Sequence, residues 1–288
     1  MPTSPLISAA ALRTLLDSGA PLMVFDCSFD LMQPTAGAQH YAQAHIPGAV
    51  YVHLEHDLSA PHGTGDQAAS GGRHPLPSRE RFAAWLGRTG FSNAMQAVVY
   101  DRNGVNYCGR LWWMLKWAGH EAVSVLDGGL QAWEAAGGAV RAGPEAAPPS
   151  ALFQLHPPRR TLASAQQVLE RLQQASQTVV DARAAPRYRG EVEPLDPVAG
   201  HIPGALNRPF QSNMDAEGRF KPAEVLRAEW EALLAGRAPE SVVHQCGSGV
   251  SALPNLLAME IAGLGKTTLF AGSWSEWCRD PQRPVARG

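Results

Sequence analysis

The chain repeats itself once, and any fold it adopts has to accommodate that. "AHIPGAVYVHLEHDLS" around His45 returns as "GHIPGALNRPFQSNMD" around His201, and each is preceded by a short apolar run ending in aspartate, "FDCSFD" and "VVDARAAPRYRG". Further on, "AVVYDRNGVNYCGRLWWMLKWAG" parallels "SVVHQCGSGVSALPNLLAMEIAG", and "VSVLDGGLQAWEAAGG" parallels "TTLFAGSWSEWCRDPQ". His45 and His201, Asp101 and Cys246, and Leu126 and Phe270 stand at nearly equal separations. The period is that of a whole domain, far beyond the roughly 20 to 50 residues of a solenoid repeat. The 288 residues therefore divide into an N-terminal copy over 1–142, a linker over 143–160 and a C-terminal copy over 161–288. The prolines and alanines of "RAGPEAAPPSALFQLHPPRR" suit neither a long helix nor a core strand, which marks the linker.

Within each copy, short β-branched runs ("LMVFD", "AVVYD", "VSVLDG"; then "TVVDA", "SVVHQ", "TTLF") alternate with helical patterns such as "SRERFAAWLGRTG" and "ASAQQVLERLQQA". That alternation predicts an α/β fold, each copy a mainly parallel sheet flanked by helices. Ligands of such sheets bind at the carboxyl ends of the strands. The content, 45% hydrophobic and 17% charged, is that of an ordinary globular chain, and a net charge of -2 gives no electrostatic case for nucleic acid or an anionic membrane. No apolar run approaches the roughly 18 residues of a membrane span, and "MPTSPLISAAALRTLLDSG" lacks the basic-then-apolar layout of a secretory signal, so a cytoplasmic location is expected. Oligomeric state is not legible.

The four cysteines are too sparse for a disulfide scaffold and lack the paired spacing of a zinc site, so reduced thiols and no metal are expected. Cys246 differs from the others. It ends an apolar strand and enters "CGSGVSA", where glycines at 247 and 249 let several backbone N–H groups converge before a helix begins. Such a loop stabilises an anion, and a thiolate is one. Cys27 and Cys108 have no comparable loop and are expected to be buried hydrophobes, while Cys278 is left open. Phosphatases also place a cysteine in an anion-binding loop, but they close it with an arginine six residues on; here that position is Ala252. His45 and His201 occur equally in both "HIPGA" turns and are expected to be structural.

Taken together, "CGSGVSA", "GHIPGALNRPF", "DARAAPRYRG", "LDGGLQAW" and "GSWSEW" resemble the tandem-domain rhodaneses, and the loop resembles that of the 3-mercaptopyruvate sulfurtransferases among them. The resemblance spans nearly the whole chain. It implies two rhodanese domains with the nucleophile only in the second, Asp101 occupying the cysteine's place in a silent first domain that helps wall the site. "DRNGVNY" there lacks the glycine spacing of "CGSGVSA" and is expected not to make a second site. The implied mechanism passes sulfur from a small-molecule donor to Cys246, as a persulfide, and then to a thiol or cyanide acceptor, without a cofactor. Backbone N–H groups of Gly247, Ser248, Gly249, Val250 and Ser251 would hold the persulfide.

Donor choice follows from charge. Thiosulfate-using relatives carry cations in the two positions after the cysteine, whereas Gly247 and Ser248 are neutral here, which favours mercaptopyruvate. The resemblance implies two arginines for the donor carboxylate. Arg187 matches the first, Leu195 stands at the second, and Arg189 is the expected substitute. It also implies a proton-transfer set in which Ser248 is joined by His74 and Asp57. Two alternatives remain, a thiosulfate:cyanide sulfurtransferase and a non-enzymatic interaction module of the same fold; the intact Cys246 loop weighs against the latter.

Overall fold

A computed structural model of the chain describes residues 4–61 and 67–288. It divides into two compact units. The first holds residues up to Gln67, Pro77–Arg159 and Ala216–Arg219; the second holds Ala68–Leu76, Arg160–Asp215 and Phe220–Gly288.

In the first unit, strands β1 (Leu6–Ile7), β2 (Leu22–Asp26), β3 (Val50–Tyr51), β4 (Gln96–Tyr100) and β5 (Val123–Leu126) form one sheet in the order β1-β5-β4-β2-β3. Its helices are α1 (Ala9–Asp17), α2 (Ala36–Gln43), α3 (Arg79–Arg88), α4 (Cys108–Trp117) and α5 (Gly129–Ala135). The second unit repeats the plan. Strands β6 (Thr161–Leu162), β7 (Thr178–Asp181), β8 (Leu206–Asn207), β9 (Val242–Gln245) and β10 (Thr268–Leu269) run in the order β6-β10-β9-β7-β8. They are joined by helices α6 (Ala165–Glu170), α7 (Ala185–Arg189), α8 (Ala223–Leu234), α9 (Leu253–Ile261) and α10 (Ser273–Trp277). Every strand pairing is parallel, as the uninterrupted apolar runs predict for strands covered on both faces.

Local chemistry explains the pieces. In α8, Leu226, Trp230 and Leu234 recur every fourth residue and form the buried stripe, while Glu224, Arg227 and Glu231 are exposed. Helix α6 starts in a capping box between Ser164 and Gln167. One cluster around Val24, Val98, Tyr100 and Trp133 fills the first unit, and its counterpart around Val179, Val243, Phe270 and Trp274 fills the second. The two "HIPGA" histidines do the same work in each. His45 stacks on Tyr41 at 3.9 Å with Nδ1 2.7 Å from the Tyr41 carbonyl, and His201 stacks on Tyr188 at 3.9 Å with Nδ1 2.8 Å from the Tyr188 carbonyl. Residues 143–160 contain no helix or strand and, up to Arg159, belong to the first unit, where Phe153 is buried against Phe91. Among the described residues no helix is long and apolar enough to cross a membrane.

Candidate active site

Strand β9 lies between β10 and β7 and ends at Gln245, so Cys246 emerges at the carboxyl edge of the second sheet. The loop from Cys246 to Val250 is buried, and α9 follows with Pro254 in its first turn. Gly249 turns the chain at φ +72, and a Cβ there would run into the Ala271 carbonyl. The start of α10 clamps the loop from outside: Trp274 N donates to Cys246 O at 3.0 Å and Ser275 N to Gly247 O at 2.9 Å. Ser273 completes the clamp. Its hydroxyl accepts from Cys246 N at 3.1 Å and donates to Phe270 O at 2.9 Å, although its φ of 54° is a left-handed conformation that costs a non-glycine residue about 1–2 kcal/mol. At the corresponding station the first unit has Gly129 at φ 59°. The second unit thus accepts strain in exchange for a hydroxyl on the nucleophile's own N–H.

The loop's donors are unspent. Among the described residues the N–H groups of Gly247, Ser248, Val250 and Ser251 donate no hydrogen bond, although all but Ser251 belong to buried residues. Orphaned buried N–H groups are rare, so a run of them marks a place where an anion is received. The first unit supplies an internal comparison. There Asp101 follows β4 as Cys246 follows β9, and its carboxylate accepts from the backbone N–H of Asn103 (2.8 Å), Val105 (3.1 Å), Tyr107 (2.8 Å) and Cys108 (2.9 Å). "DRNGVNY", though it lacks the glycine spacing of "CGSGVSA", still gathers backbone N–H groups after its strand. Left-handed Gly104 and Val105, both at φ 64°, provide the turn, and the loop is already filled by its own anion.

Guanidinium groups surround the Cys246 loop. A Cβ built on Gly247 would stand 3.2 Å from Arg73 Nη2 and 3.5 Å from Arg187 Nη1. Arg73 pairs with Asp196 at 2.7 Å; Arg187 pairs with Glu193 at 2.6 Å and reaches the other Asp196 oxygen at 3.4 Å. Behind them Arg183 grips Asp181 and lies over Trp274 at 4.8 Å. Burial alone lowers the Arg183 pKa, but Asp181, then Glu193 and the Cys246 sulfur, raise it above the ordinary value. His74 and Ser248, both buried, approach with Nδ1 2.8 Å from Oγ. His74 and Arg73 belong to the second unit because Arg73 N donates to Ser275 Oγ at 2.9 Å and Gly71 N to the Glu276 carboxylate at 3.2 Å.

Cys246, Ser248, His74, Arg187 and the loop residues Gly247, Gly249, Val250 and Ser251 are thus brought together. Arg189 is not: residues two apart on α7 point to nearly opposite sides, and with Arg187 at the loop, Arg189 is exposed and paired with Glu191 at 2.6 Å. Asp57 is in the first unit, where its oxygens accept from His53 N (2.7 Å) and the Trp85 indole (3.0 Å). The sequence reading missed Arg73, Asp196, Arg183 and Ser273; only Arg73 had a local signal, as the neighbour of His74. Of the other thiols, Cys27 and Cys108 are raised well above the ordinary pKa by burial and then by nearby aspartates, and Cys278 is raised by burial and then by Asp196. All three are held as neutral thiols.

Residues 8–136 and 164–280 each match the model of the Rhodanese-like domain. A Pseudomonas aeruginosa protein named "Probable 3-mercaptopyruvate sulfurtransferase" is 45% identical over 289 residues, covering 100% of both chains. The thiosulfate sulfurtransferase of Rattus norvegicus is 33% identical over 279 residues, covering 94% of this chain and 90% of its own. Among solved structures, the 3-mercaptopyruvate sulfurtransferase from Leishmania major matches with a TM-score of 0.83 at 28% identity, over 99% of this chain and 77% of that one.

Proposed function

From the premise that the chain belongs to the rhodanese family and is a sulfurtransferase, we propose that it takes sulfur from 3-mercaptopyruvate onto Cys246 and passes it to a thiol or cyanide acceptor. One observation carries this reading: a buried cysteine at the carboxyl end of β9 whose loop keeps N–H donors unspent, where the silent copy fills the same loop with a carboxylate.

In the first half-reaction the Cys246 thiolate attacks the donor sulfur, the donor's carbon–sulfur bond breaks, and the electron pair leaves on carbon as the enolate of pyruvate. The proton of the transferred S–H is passed to that carbon. The products are pyruvate and a persulfide anion, so no outside oxidant or acid is consumed. Ser248 and His74, 2.8 Å apart, are the groups suited to carry this proton, and the N–H groups of Gly247 to Ser251 receive the terminal sulfur's charge. In the second half-reaction an acceptor thiolate or cyanide attacks the outer sulfur and the Cys246 thiolate leaves. Asp57 is the third member of the set that the resemblance implies; its oxygens accept from His53 N and the Trp85 indole, and each carboxylate oxygen can accept more than one such bond. The chemistry needs Cys246 reduced, which suits a cytoplasmic setting.

Purified protein assayed with both donors tests the reading. A kcat/KM for 3-mercaptopyruvate well above that for thiosulfate, with ping-pong kinetics, is the expected result. Preference for thiosulfate would make the chain a thiosulfate:cyanide sulfurtransferase instead.

A further inference from the structure

We propose that Glu276 is the positioning residue that seats the segment Ala68–Leu76 on α10 and so sets His74 against Ser248; this rests on the reading above, in which that pair carries the donor's proton. The segment belongs to the second unit but contains no helix or strand of its own. It closes on itself, Ala69 N donating to Leu76 O at 2.7 Å and Leu76 N to Ser70 Oγ at 2.9 Å. Helix α10 then holds it, because Gly71 N donates to the Glu276 carboxylate at 3.2 Å and Arg73 N to Ser275 Oγ at 2.9 Å. The same turn of α10 clamps the nucleophile's loop through Trp274 N and Ser275 N. One short element therefore registers the histidine-bearing segment against Cys246, and His74 Nδ1 comes to 2.8 Å from Ser248 Oγ.

The joint is built around that carboxyl. Gly272 has φ -62, which any residue adopts, yet a Cβ there would land on Glu276 Oε2. A Cβ on Gly71 would stand 2.7 Å from Glu276 Cδ, and one on Gly72 would run into the Gly272 carbonyl. Both sides of the contact are thus stripped of side chains where the carboxylate and the segment meet. The silent copy supplies the comparison. Counting from Leu126 and Phe270, the station of Glu276 is held there by Ala132, buried in α5. Burial raises the Glu276 pKa against the pull of Arg283 and of the Gly71 N–H, so an acid at this place costs stability. The copy without a nucleophile does not carry that cost. The copy with Cys246 does, at the point where the segment bearing His74 is fixed, as placement of a proton-transfer group requires.

The test reads sulfur loading of Cys246 from 3-mercaptopyruvate, whose carbon must receive a proton, and from inorganic polysulfide, which yields its terminal sulfur with no carbon to protonate. In Glu276→Ala the loading rate at saturating mercaptopyruvate should fall about a hundredfold, the worth of an ångström's misplacement of a reacting group, while polysulfide loading keeps the wild-type rate. Glu276→Gln retains an amide oxygen for Gly71 N and should restore most of the loss. Gly71→Ala leaves α10 unaltered, presses a methyl on the Glu276 carboxyl, and should lower the same rate; it decides alone if Glu276→Ala does not fold. Mercaptopyruvate loading unchanged in Glu276→Ala and Gly71→Ala overturns the role of Glu276. Polysulfide loading that falls in step with it overturns that role too, because the residue then only supports the Cys246 loop. A wild type that loads from polysulfide but not from mercaptopyruvate overturns the donor reading, and this inference with it.

Discussion

Two residues before the nucleophile, His244 is buried in β9 with neither ring nitrogen hydrogen-bonded among the described residues and with Trp230 edge-on at 5.6 Å. Burial lowers its pKa from 6.5 to about 3. Between those values an unfolded chain binds a proton that the folded chain refuses, so acid favours unfolding. The contribution is intact above pH 6.5 and is lost as the pH falls toward 3. His244→Leu should therefore flatten the acid limb of stability against pH by about one proton, roughly 1.4 kcal/mol per pH unit. Denaturant titrations at several pH values between these limits read that slope, and identical slopes in variant and wild type would show that the ring is solvated in the native state.

At the scale of elements, β4 and β9 each end in a loop that gathers backbone N–H groups, and they differ in what meets them. In the first unit a built-in carboxylate takes four donors, so Asp101→Asn, which keeps one oxygen and turns an amide toward the others, should lower stability by at least about 3 kcal/mol. Urea denaturation of the full chain measures this; an unchanged midpoint would mean that the four short contacts contribute nothing. The same comparison shows what sequence conveys. Strands, their parallel pairing and the Cys246 loop were legible because each is written in consecutive residues, apolar runs followed by glycine. Arg187 and His74 were legible through short motifs. Arg73 and Asp196 were not, because their pairing joins positions far apart in the chain, and no local pattern says that 68–76 packs with the second unit. Arg189 was misplaced for a helical reason: α7 sends alternate residues to opposite sides. The N–H-gathering turn after Asp101 was less legible because a non-glycine residue, Val105, takes the left-handed turn.

Across the whole molecule, duplication has left two sheets of one design and a division of chemistry between them. One copy closes its anion loop with Asp101 and keeps Cys27 and Cys108 as high-pKa thiols; the other leaves its loop open around Cys246. The account therefore turns on where sulfur lands. Intact-mass measurement after treatment with 3-mercaptopyruvate, followed by peptide mapping without reductant, should find one added sulfur, located on the Cys246 peptide. It should be absent from Cys246→Ser and still present in a Cys27→Ser, Cys108→Ser, Cys278→Ser triple variant. Added sulfur on any of those three thiols, or sulfur transfer persisting in Cys246→Ser, would contradict it.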